Sequence, residues 1–281
     1  KMANIDQVIR FKNKNLKGDL GIEIEVEGEN LPYAAALEDT PWYKDEDPSL
    51  RGESAEYILR QPVLLEDLRP ALHSLKEVLN NSIIKDSYRA GIHVHLNVRD
   101  LSVKQMFTLS TIYFTVEELI FRWFDKSRSG NHFCLSANDA EYLIHELVES
   151  LAKEDLGILN TDKLRYSGLN FKSLFKHGSL EFRGMESTMN FDKLVTFCEV
   201  LYYFRDAAKF YNEPVKVIES FSMEGYEGFL SRVFGVHKHK FLCKDYHKLL
   251  RVGIVNAQEL AYARDWNVVN NNIFRKNVGA W

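Results

Sequence analysis

The segment from Gly21 to Gly28 alternates strictly between apolar and acidic residues. Its sequence, GIEIEVEG, places a carboxylate at every second position, at Glu23, Glu25 and Glu27. Successive side chains of a strand point to opposite faces, so the pattern predicts a strand over residues 20–28 with all three acids on one face. Such a row of like charges either faces water or binds something strongly positive.

Two later segments alternate in the same way. GIHVHLNV, residues 91–98, places two histidines and an asparagine on one face, and GSLEFRGME, residues 178–186, places Glu181 and Arg183 on one face. Strand character is also predicted for the apolar stretch 55–61, which Pro62 ends, and for RYSGLNFKSL, residues 165–174.

Helical periodicity predicts long helices between and after these strands. Ser102 and Gln105 form a predicted capping box for a helix to about residue 124, and Asn138 with Glu141 predicts a second helix start. The predicted helices span residues 64–79, 103–124, 138–153, 190–211, 225–234 and 256–263.

The predicted fold class is α+β. Strands separated by helices usually form parallel α/β sheets, but these strands are few, unevenly spaced and polar on one face, as is typical of an antiparallel sheet with one open face. We expect helices to cover one face of this sheet and the acidic rows to lie on the open face. We divide the chain into an N-terminal segment, 1–18, and a single domain, 19–281, that is helical from about residue 190.

Composition narrows the function classes. The 281 residues are 45% hydrophobic, enough for one substantial core, and the formal charge of -4 provides no basic field for nucleic acid. The cysteines lack CxxC spacing, which predicts neither a disulfide framework nor a zinc site. No secretion signal or apolar run of about 18 residues is evident. We therefore expect a soluble, cytoplasmic protein without a membrane partner.

Candidate metal ligands come from the two most regular strands. Glu23 and Glu25, about 7 Å apart along a strand, could each bind a neighbouring divalent cation, although a solvated strand face has the same pattern. His93 and His95, at positions i and i+2, form a common metal or substrate-contact arrangement. Asn97 continues that face.

The remaining candidates surround these strands. In DPSLRGESAEY, Glu56 stands where the polar loop gives way to a strand, so it is expected to point inward, whereas a surface loop is the alternative. Glu181 and Arg183 combine a carboxylate for metal with a guanidinium for phosphate, or else form a simple ion pair. Further groups that could contact phosphate, or merely solvate a loop, are Arg165, Asn170, Lys172 and Lys176.

Known nucleotide motifs are missing from the chain. Neither G-x-x-x-x-G-K-[ST] nor a strand-linked G-x-G-x-x-G occurs, so ATP would have to be held by metals and a sheet. A cupin would need a glutamate soon after HVH, and a barrel hydrolase would need repeated βα units; neither pattern is present.

Four segments in a set order carry a family resemblance: GIEIEVEG, DPSLRGESAEY, GIHVHLN and SLEFRG. Together they resemble the amidoligases of the glutamine synthetase and glutamate-cysteine ligase superfamily, which occur in bacterial and phage genomes. The resemblance implies a curved antiparallel sheet of about six strands that forms an open, funnel-like site, with helices packed on its other face. In that site Mg²⁺, or Mn²⁺, would bridge ATP to the protein. It does not extend to the last hundred residues.

The resemblance also implies roles for individual residues. The implied metal ligands are Glu23, Glu25, Glu56, His93 and Glu181, and Asp47 or Glu53 could add another. Groups implied in ATP binding are His93, Arg183, Arg165 and Lys172. Those implied in catalysis are Arg183, His95 and Arg51.

The implied reaction joins a carboxylic acid to an amine. ATP phosphorylates the carboxylate of an amino acid, peptide or protein, and the amine displaces phosphate to form an amide. Two alternatives stay open: a non-catalytic binding or structural protein of the same fold, for instance a phage component, or a metal-dependent hydrolase that needs no ATP. An oligomer is compatible with the sequence, and a phage-encoded protein would act in the host cytoplasm.

Overall fold

A computed structural model describes residues 3–11, 16–140, 142–269 and 274. Its strands are β1 (Leu20–Glu29), β2 (Trp42–Asp45), β3 (Ser54–Leu59), β4 (Ile83–Lys85), β5 (Gly91–Asn97), β6 (Leu169–Asn170) and β7 (Ser179–Glu186). Within the described residues these seven strands form one open antiparallel sheet in the order β2-β3-β1-β5-β7-β6, with β4 paired to β1. The predicted α+β class is confirmed, with seven strands where about six were expected.

Helices account for most of the remaining described chain. They are α1 (Ile5–Val8), α2 (Leu65–Val78), α3 (Val103–Trp123), α4 (Leu143–Ala152), α5 (Ser173–His177), α6 (Phe191–Tyr211), α7 (Pro214–Met223), α8 (Gly225–Phe234), α9 (Lys238–Phe241) and α10 (Tyr246–Ala261). Of the helices in the described ranges, none combines the length and apolar character needed to cross a membrane.

The two faces of the sheet differ as the alternation predicts. The β1 residues Ile22, Ile24 and Val26 are buried on the apolar face. On the same face of β7, the Phe182 ring contacts Tyr113 of α3 and Phe197 of α6, with ring centroids 5.4 and 6.5 Å apart. Helices α3 and α6 therefore pack against this face, and the acidic residues of β1 point to the opposite, open face.

Helix α3 begins where its sequence predicts. Ser102 Oγ accepts a hydrogen bond from the Gln105 backbone N–H at 3.1 Å, and Gln105 Oε1 accepts one from the Ser102 N–H at 3.0 Å. This reciprocal capping box satisfies two N–H groups at the start of the helix.

A β-bulge interrupts the pairing of β5 with β7. Ile92 pairs with Met185 and Val94 pairs with Phe182, so two β7 residues, Arg183 and Gly184, stand opposite one β5 residue. A bulge bends its strand and re-aims the side chains within it. This one lies opposite His93.

Helix α6 is tied to the start of β1 by a polar network. Asp19 accepts hydrogen bonds from Tyr202 Oη and Arg205 Nη1, each at 2.9 Å, and from Asn97 Nδ2 at 3.2 Å. Although burial opposes ionisation, Arg205 and Tyr202 hold the pKa of the Asp19 carboxyl below its usual value. The network joins the ends of two neighbouring strands to one helix.

Several predicted element bounds are wrong. The strand predicted for 165–174 is only the two-residue β6 followed by α5, which ends at Gly178 in the left-handed conformation, φ 71°. Helix α4 begins at Leu143, because Asn138 instead binds the side chain of Asn256; Glu141 lies outside the described residues. The helix predicted for residues 256–263 overlaps only the last six residues of α10, which begins ten residues earlier. The elements β2, β4, α1, α5, α7 and α9 were not predicted.

Candidate active site

Strand register brings the predicted acids and histidines together on the open face. Glu25 pairs with Glu56 of β3, Glu23 pairs with His93 of β5, and His95 pairs with Glu181 of β7. Directly opposed residues point to the same face of a sheet. Six side chains from four adjacent strands therefore converge, although they are up to 158 positions apart in the sequence.

His93 lies buried between two carboxylates. Its Nδ1 is 3.1 Å from Glu23 Oε2, and its Nε2 is 3.1 Å from Glu25 Oε1. Burial and the nearby Arg183 oppose protonation of the ring, but Glu25 and Glu23 outweigh them and raise the pKa of His93 to about 10. The protonated ring balances part of the acidic charge, and it would have to release a proton to bind a metal ion.

His95 faces a second pair of carboxylates. Its Nε2 is 3.4 Å from Glu23 Oε1 and 3.3 Å from Glu181 Oε2. These distances are short, but the angles do not meet hydrogen-bond geometry, so this buried nitrogen has no hydrogen-bond partner among the described residues. A misaligned contact of this kind contributes little stabilisation. A buried imidazole nitrogen facing two carboxylate oxygens is a suitable donor set for a divalent cation.

Two sets of side chains in the described chain could hold a metal ion, and they share Glu23. One set is Glu23, Glu56 and His93, and the other is Glu23, His95 and Glu181; within each set the ligand atoms lie within 4.8 Å of one another. Burial disfavours the Glu23 carboxylate, yet His95 and His93 hold its pKa well below the usual range. The open face therefore has two adjoining sets of donor atoms, each of which could hold a metal ion.

Further acidic groups lie at the Glu25 end of the cluster. Burial and the charge of Glu23 raise the pKa of Glu56 to about 8. Asp47, from the loop before β3, forms a hydrogen bond with Glu25. Burial and this hydrogen bond raise the pKa of Glu25. Although burial opposes its ionisation, the hydrogen bond with Glu25 lowers the pKa of Asp47. Asp47 therefore joins the site.

Other residues of that loop lie apart from the cluster. The Arg51 guanidinium donates to backbone carbonyls of its own loop, and the Arg51 N–H donates to Glu27 Oε1 at 2.9 Å. Glu53 accepts hydrogen bonds from the N–H groups of Asn30 and Leu31 at 3.2 and 2.8 Å. Glu27 and Glu53 therefore organise the loop, and Arg51 is not brought to the metal-ligand cluster.

Arg183 completes the cluster through the β7 bulge. Its Nη1 donates to Glu181 Oε1 at 2.6 Å and lies 3.5 Å from His93 Nδ1. Its Nε is buried without a hydrogen-bond partner in the part of the chain that the structure describes. The guanidinium lies 5.8 Å from the centre of the Tyr166 ring, which also contacts Arg165 at 4.7 Å.

Two cavities open beside Glu23 and His95. The larger, about 640 Å³, lies at the Leu20 end of β1, and its lining includes the cationic residues Arg60, Arg99 and Lys176. The smaller, about 410 Å³, is lined by Asn170, Lys172, Lys176 and other residues on the β6 side. Lys172 is paired with Asp162 at its edge.

Sequence reasoning missed several cavity residues. His177 lines both cavities, with its ring edge-on to His95 at 6.4 Å, and burial together with His95 and Lys176 lowers its pKa to about 4. No sequence signal marked it, because it ends an unpredicted helix. Arg60 could have been found, since it continues the alternation of Glu56 and Ile58.

Comparison with known proteins shows which family the chain belongs to. Residues 57–201 match a family model described as "Putative amidoligase enzyme", which spans half of the chain. The chain belongs to the amidoligase family. This confirms the resemblance seen in the sequence, whereas the bacterial or phage type stays a prediction. No curated protein matches the chain.

The matched region of this amidoligase contains β5 and β7, and with them His93, His95, Glu181 and Arg183. Glu23, Glu25 and Asp47 precede it, and Glu56 lies one residue before its start. Their place in the site follows from strand pairing and side-chain contacts. A ligase of this family acts on a carboxylate and an amine.

Proposed function

We propose that this amidoligase is an ATP- and Mg²⁺-dependent carboxylate-amine ligase that works through an acyl phosphate. The observation that carries the proposal is the pair of metal-ligand sets sharing Glu23, which lies beside two cavities with cationic linings. The acid is the carboxylate of an amino acid, a peptide or a protein, and the acceptor is an amine.

The chemistry requires charge neutralisation. A triphosphate and a carboxylate repel each other by several kcal/mol at contact distance in a partly buried site. Mg²⁺, or Mn²⁺, would be held by Glu23, Glu56, His93, His95 and Glu181, with Glu25 next to His93. When bound, the metal supplies Lewis-acid stabilisation of phosphate oxygens.

The larger cavity is the proposed nucleotide pocket. Its volume is within the range of small-molecule sites. Arg60 uses Nε and Nη2 on the carbonyls of Thr40 and Leu37, and Arg99 uses the same atoms on Asn97 and a backbone carbonyl. Among the described residues, no carboxylate binds Nη1 of either Arg60 or Arg99. Both Nη1 groups are therefore available to an anion.

Arg183 is the proposed phosphoryl-stabilising residue. Glu181 fixes one end of its guanidinium at 2.6 Å, and the remaining N–H groups can stabilise charge that develops on the transferring phosphoryl group. His95 lies nearer the reacting carboxylate, between Glu23 and Glu181. No enzyme nucleophile is needed for this sequence of steps.

In the proposed reaction one oxygen of the substrate carboxylate ends in the released phosphate, so an isotope label can follow it. A carboxylate oxygen attacks the γ-phosphorus and ADP leaves. The amine nitrogen then attacks the acyl carbon, loses a proton, and phosphate leaves with the former carboxylate oxygen. We would supply Mg-ATP, a pool of amines, and amino acids and peptides labelled with ¹⁸O in their carboxylates. The expected result is ¹⁸O in the released phosphate.

Controls separate this proposal from its alternatives. Label transfer should require Mg²⁺ and amine, and Glu181→Gln should abolish it because a metal ligand and the Arg183 partner are both lost. Unlabelled phosphate would indicate simple ATP hydrolysis and contradict the ligase. Cleavage of amides without ATP would indicate the metal-dependent hydrolase, and neither activity nor nucleotide binding would indicate a structural protein.

A further inference from the structure

Arg128 is a buried guanidinium in the short turn Lys126–Arg128 that follows α3. It is only 1% exposed, and within the described chain no carboxylate forms an ion pair with it. Instead it donates four hydrogen bonds to backbone carbonyls. The acceptors are Gly184 and Arg183 at 3.1 and 3.2 Å, and Tyr88 and Ala90, both at 3.1 Å.

Two of these carbonyls belong to the β7 bulge. A bulge disrupts the ladder locally, so its carbonyls need other donors when they are buried. Arg128 Nε and Nη2 bind Gly184 and Arg183, the two residues that stand opposite His93. Arg128 therefore holds the backbone from which the Arg183 side chain reaches Glu181.

The other two carbonyls lie just before β5. Tyr88 is also bound by Asn131 Nδ2 at 2.6 Å, so this segment is fixed from two directions. The next residue, Gly91, donates its N–H to Glu25 Oε1 at 3.1 Å. By holding Tyr88 and Ala90, Arg128 fixes the direction of that N–H group.

Gly91 makes room for the guanidinium. A Cβ at this position would lie 2.4 Å from Arg128 Nη2 and 3.0 Å from the Met185 carbonyl oxygen. Arginine has five N–H donors in a planar fork, whereas the lysine ammonium is a single point that cannot span four carbonyls. The Arg128 guanidinium can therefore bind these four carbonyls only because Gly91 has no side chain.

We propose that Arg128 is a positioning residue, which aligns Arg183 through the β7 bulge and Glu25 through the Gly91 N–H. It does not touch the open face itself. Its expected effect on nucleotide binding rests on the proposed function, whereas its effect on the backbone does not.

The first test needs no ligand. Hydrogen exchange measured by mass spectrometry should show faster exchange of segments 88–93 and 182–185 in Arg128→Lys than in the parent protein. Arg122→Lys, an exposed change six residues earlier, is the matched control and should leave both segments unchanged. Unchanged exchange in Arg128→Lys would overturn the positioning role, whatever the function of the protein.

The second test measures coupling to Arg183. Titration calorimetry with Mg²⁺ and a non-hydrolysable ATP analogue should show a 10- to 100-fold loss of affinity in Arg128→Lys, the range typical of residues that support a metal site. In an Arg183→Lys background the same change should cost less than about twofold, because both act through one group. Additive losses would overturn the link to Arg183.

Two further outcomes are decisive. If Arg128→Lys does not fold, Gly91→Ala takes its place, since its methyl group displaces the guanidinium without changing a charge; normal exchange and affinity in Gly91→Ala would overturn the proposal. If the parent protein binds no Mg²⁺-nucleotide, the proposed function fails, while the exchange result still decides the backbone role of Arg128.

Discussion

Glu23 contributes to both metal-ligand sets, and its place is set by pairing with His93 on one neighbouring strand. Glu27, two positions after Glu25 on the same face, instead binds the N–H of Arg51. Glu23 and Glu27 thus have different roles although both follow the same alternation. The reason is that only the central part of β1 lies between β3 and β5, and β5 carries the two histidines. The difference between these carboxylates is a property of their neighbours.

Arg60 offers a prediction about nucleotide affinity. Arg60→Gln should weaken binding of a non-hydrolysable ATP analogue with Mg²⁺ about tenfold, since a charge-assisted contact with phosphate contributes roughly 1.5 kcal/mol or more. The loss should shrink at high salt. Titration calorimetry measures it, with substitution of an exposed arginine of α10, Arg251→Gln, as the control. Equal affinities of all three proteins would place the nucleotide elsewhere.

Glu117 offers a prediction about stability and pH. This α3 carboxyl is buried, accepts the Ala137 N–H at 2.7 Å and contacts Tyr113, and its Oε2 has no partner among the described residues. Burial raises its pKa to about 7, with Glu118 and Asp139 adding to the rise. The folded state therefore keeps a proton that the unfolded chain releases near its usual value of 4.5.

Because the folded state binds more protons between pH 4.5 and 7, stability from this group falls as pH rises through that window. Glu117→Gln should remove the fall and raise the free energy of unfolding by ~1–3 kcal/mol at pH 8, with little change at pH 4. Urea unfolding at both pH values measures the difference. Parallel pH profiles for the two proteins would refute it.

At the scale of elements, the network between β1 and α6 should hold the site's strands in place. Asp19→Asn leaves the largely buried Arg205 without its carboxylate, which should lower the free energy of unfolding by ~2–4 kcal/mol. Asp100→Asn is the control, because its partner Lys209 is also on α6 but the pair is about half exposed. It should cost less than ~1 kcal/mol. Similar losses in denaturant unfolding would contradict this.

Local sequence rules predicted the elements whose signals are local. The alternation in GIEIEVEG and GIHVHLNV predicted β1 and β5 nearly to the residue, and the Ser102 capping box predicted the start of α3. The α5 helix was missed because its five residues, SLFKH, lie in a stretch that also reads as a strand. Short elements depend on tertiary contacts that the sequence does not display.

At the scale of the whole molecule, the site needed information that no motif contains. The sequence predicted which residue types would face the open side, including Glu23, His93 and Glu181. It did not predict the bulge that aims Arg183, or the buried Arg128 behind it, because both depend on how β5 and β7 pair. The metal-ligand sets likewise arise from register, which joins residues on strands far apart in the sequence.

Binding of ATP on the open face is proposed to depend on divalent cations held there. The most direct measurement is calorimetric titration of the protein with a non-hydrolysable ATP analogue, with and without Mg²⁺, in the parent, Glu23→Gln and Glu27→Gln. We expect Mg²⁺-dependent binding that Glu23→Gln weakens at least 100-fold and that Glu27→Gln leaves within about twofold of the parent. Absence of binding, or equal binding without Mg²⁺ or in Glu23→Gln, would contradict it.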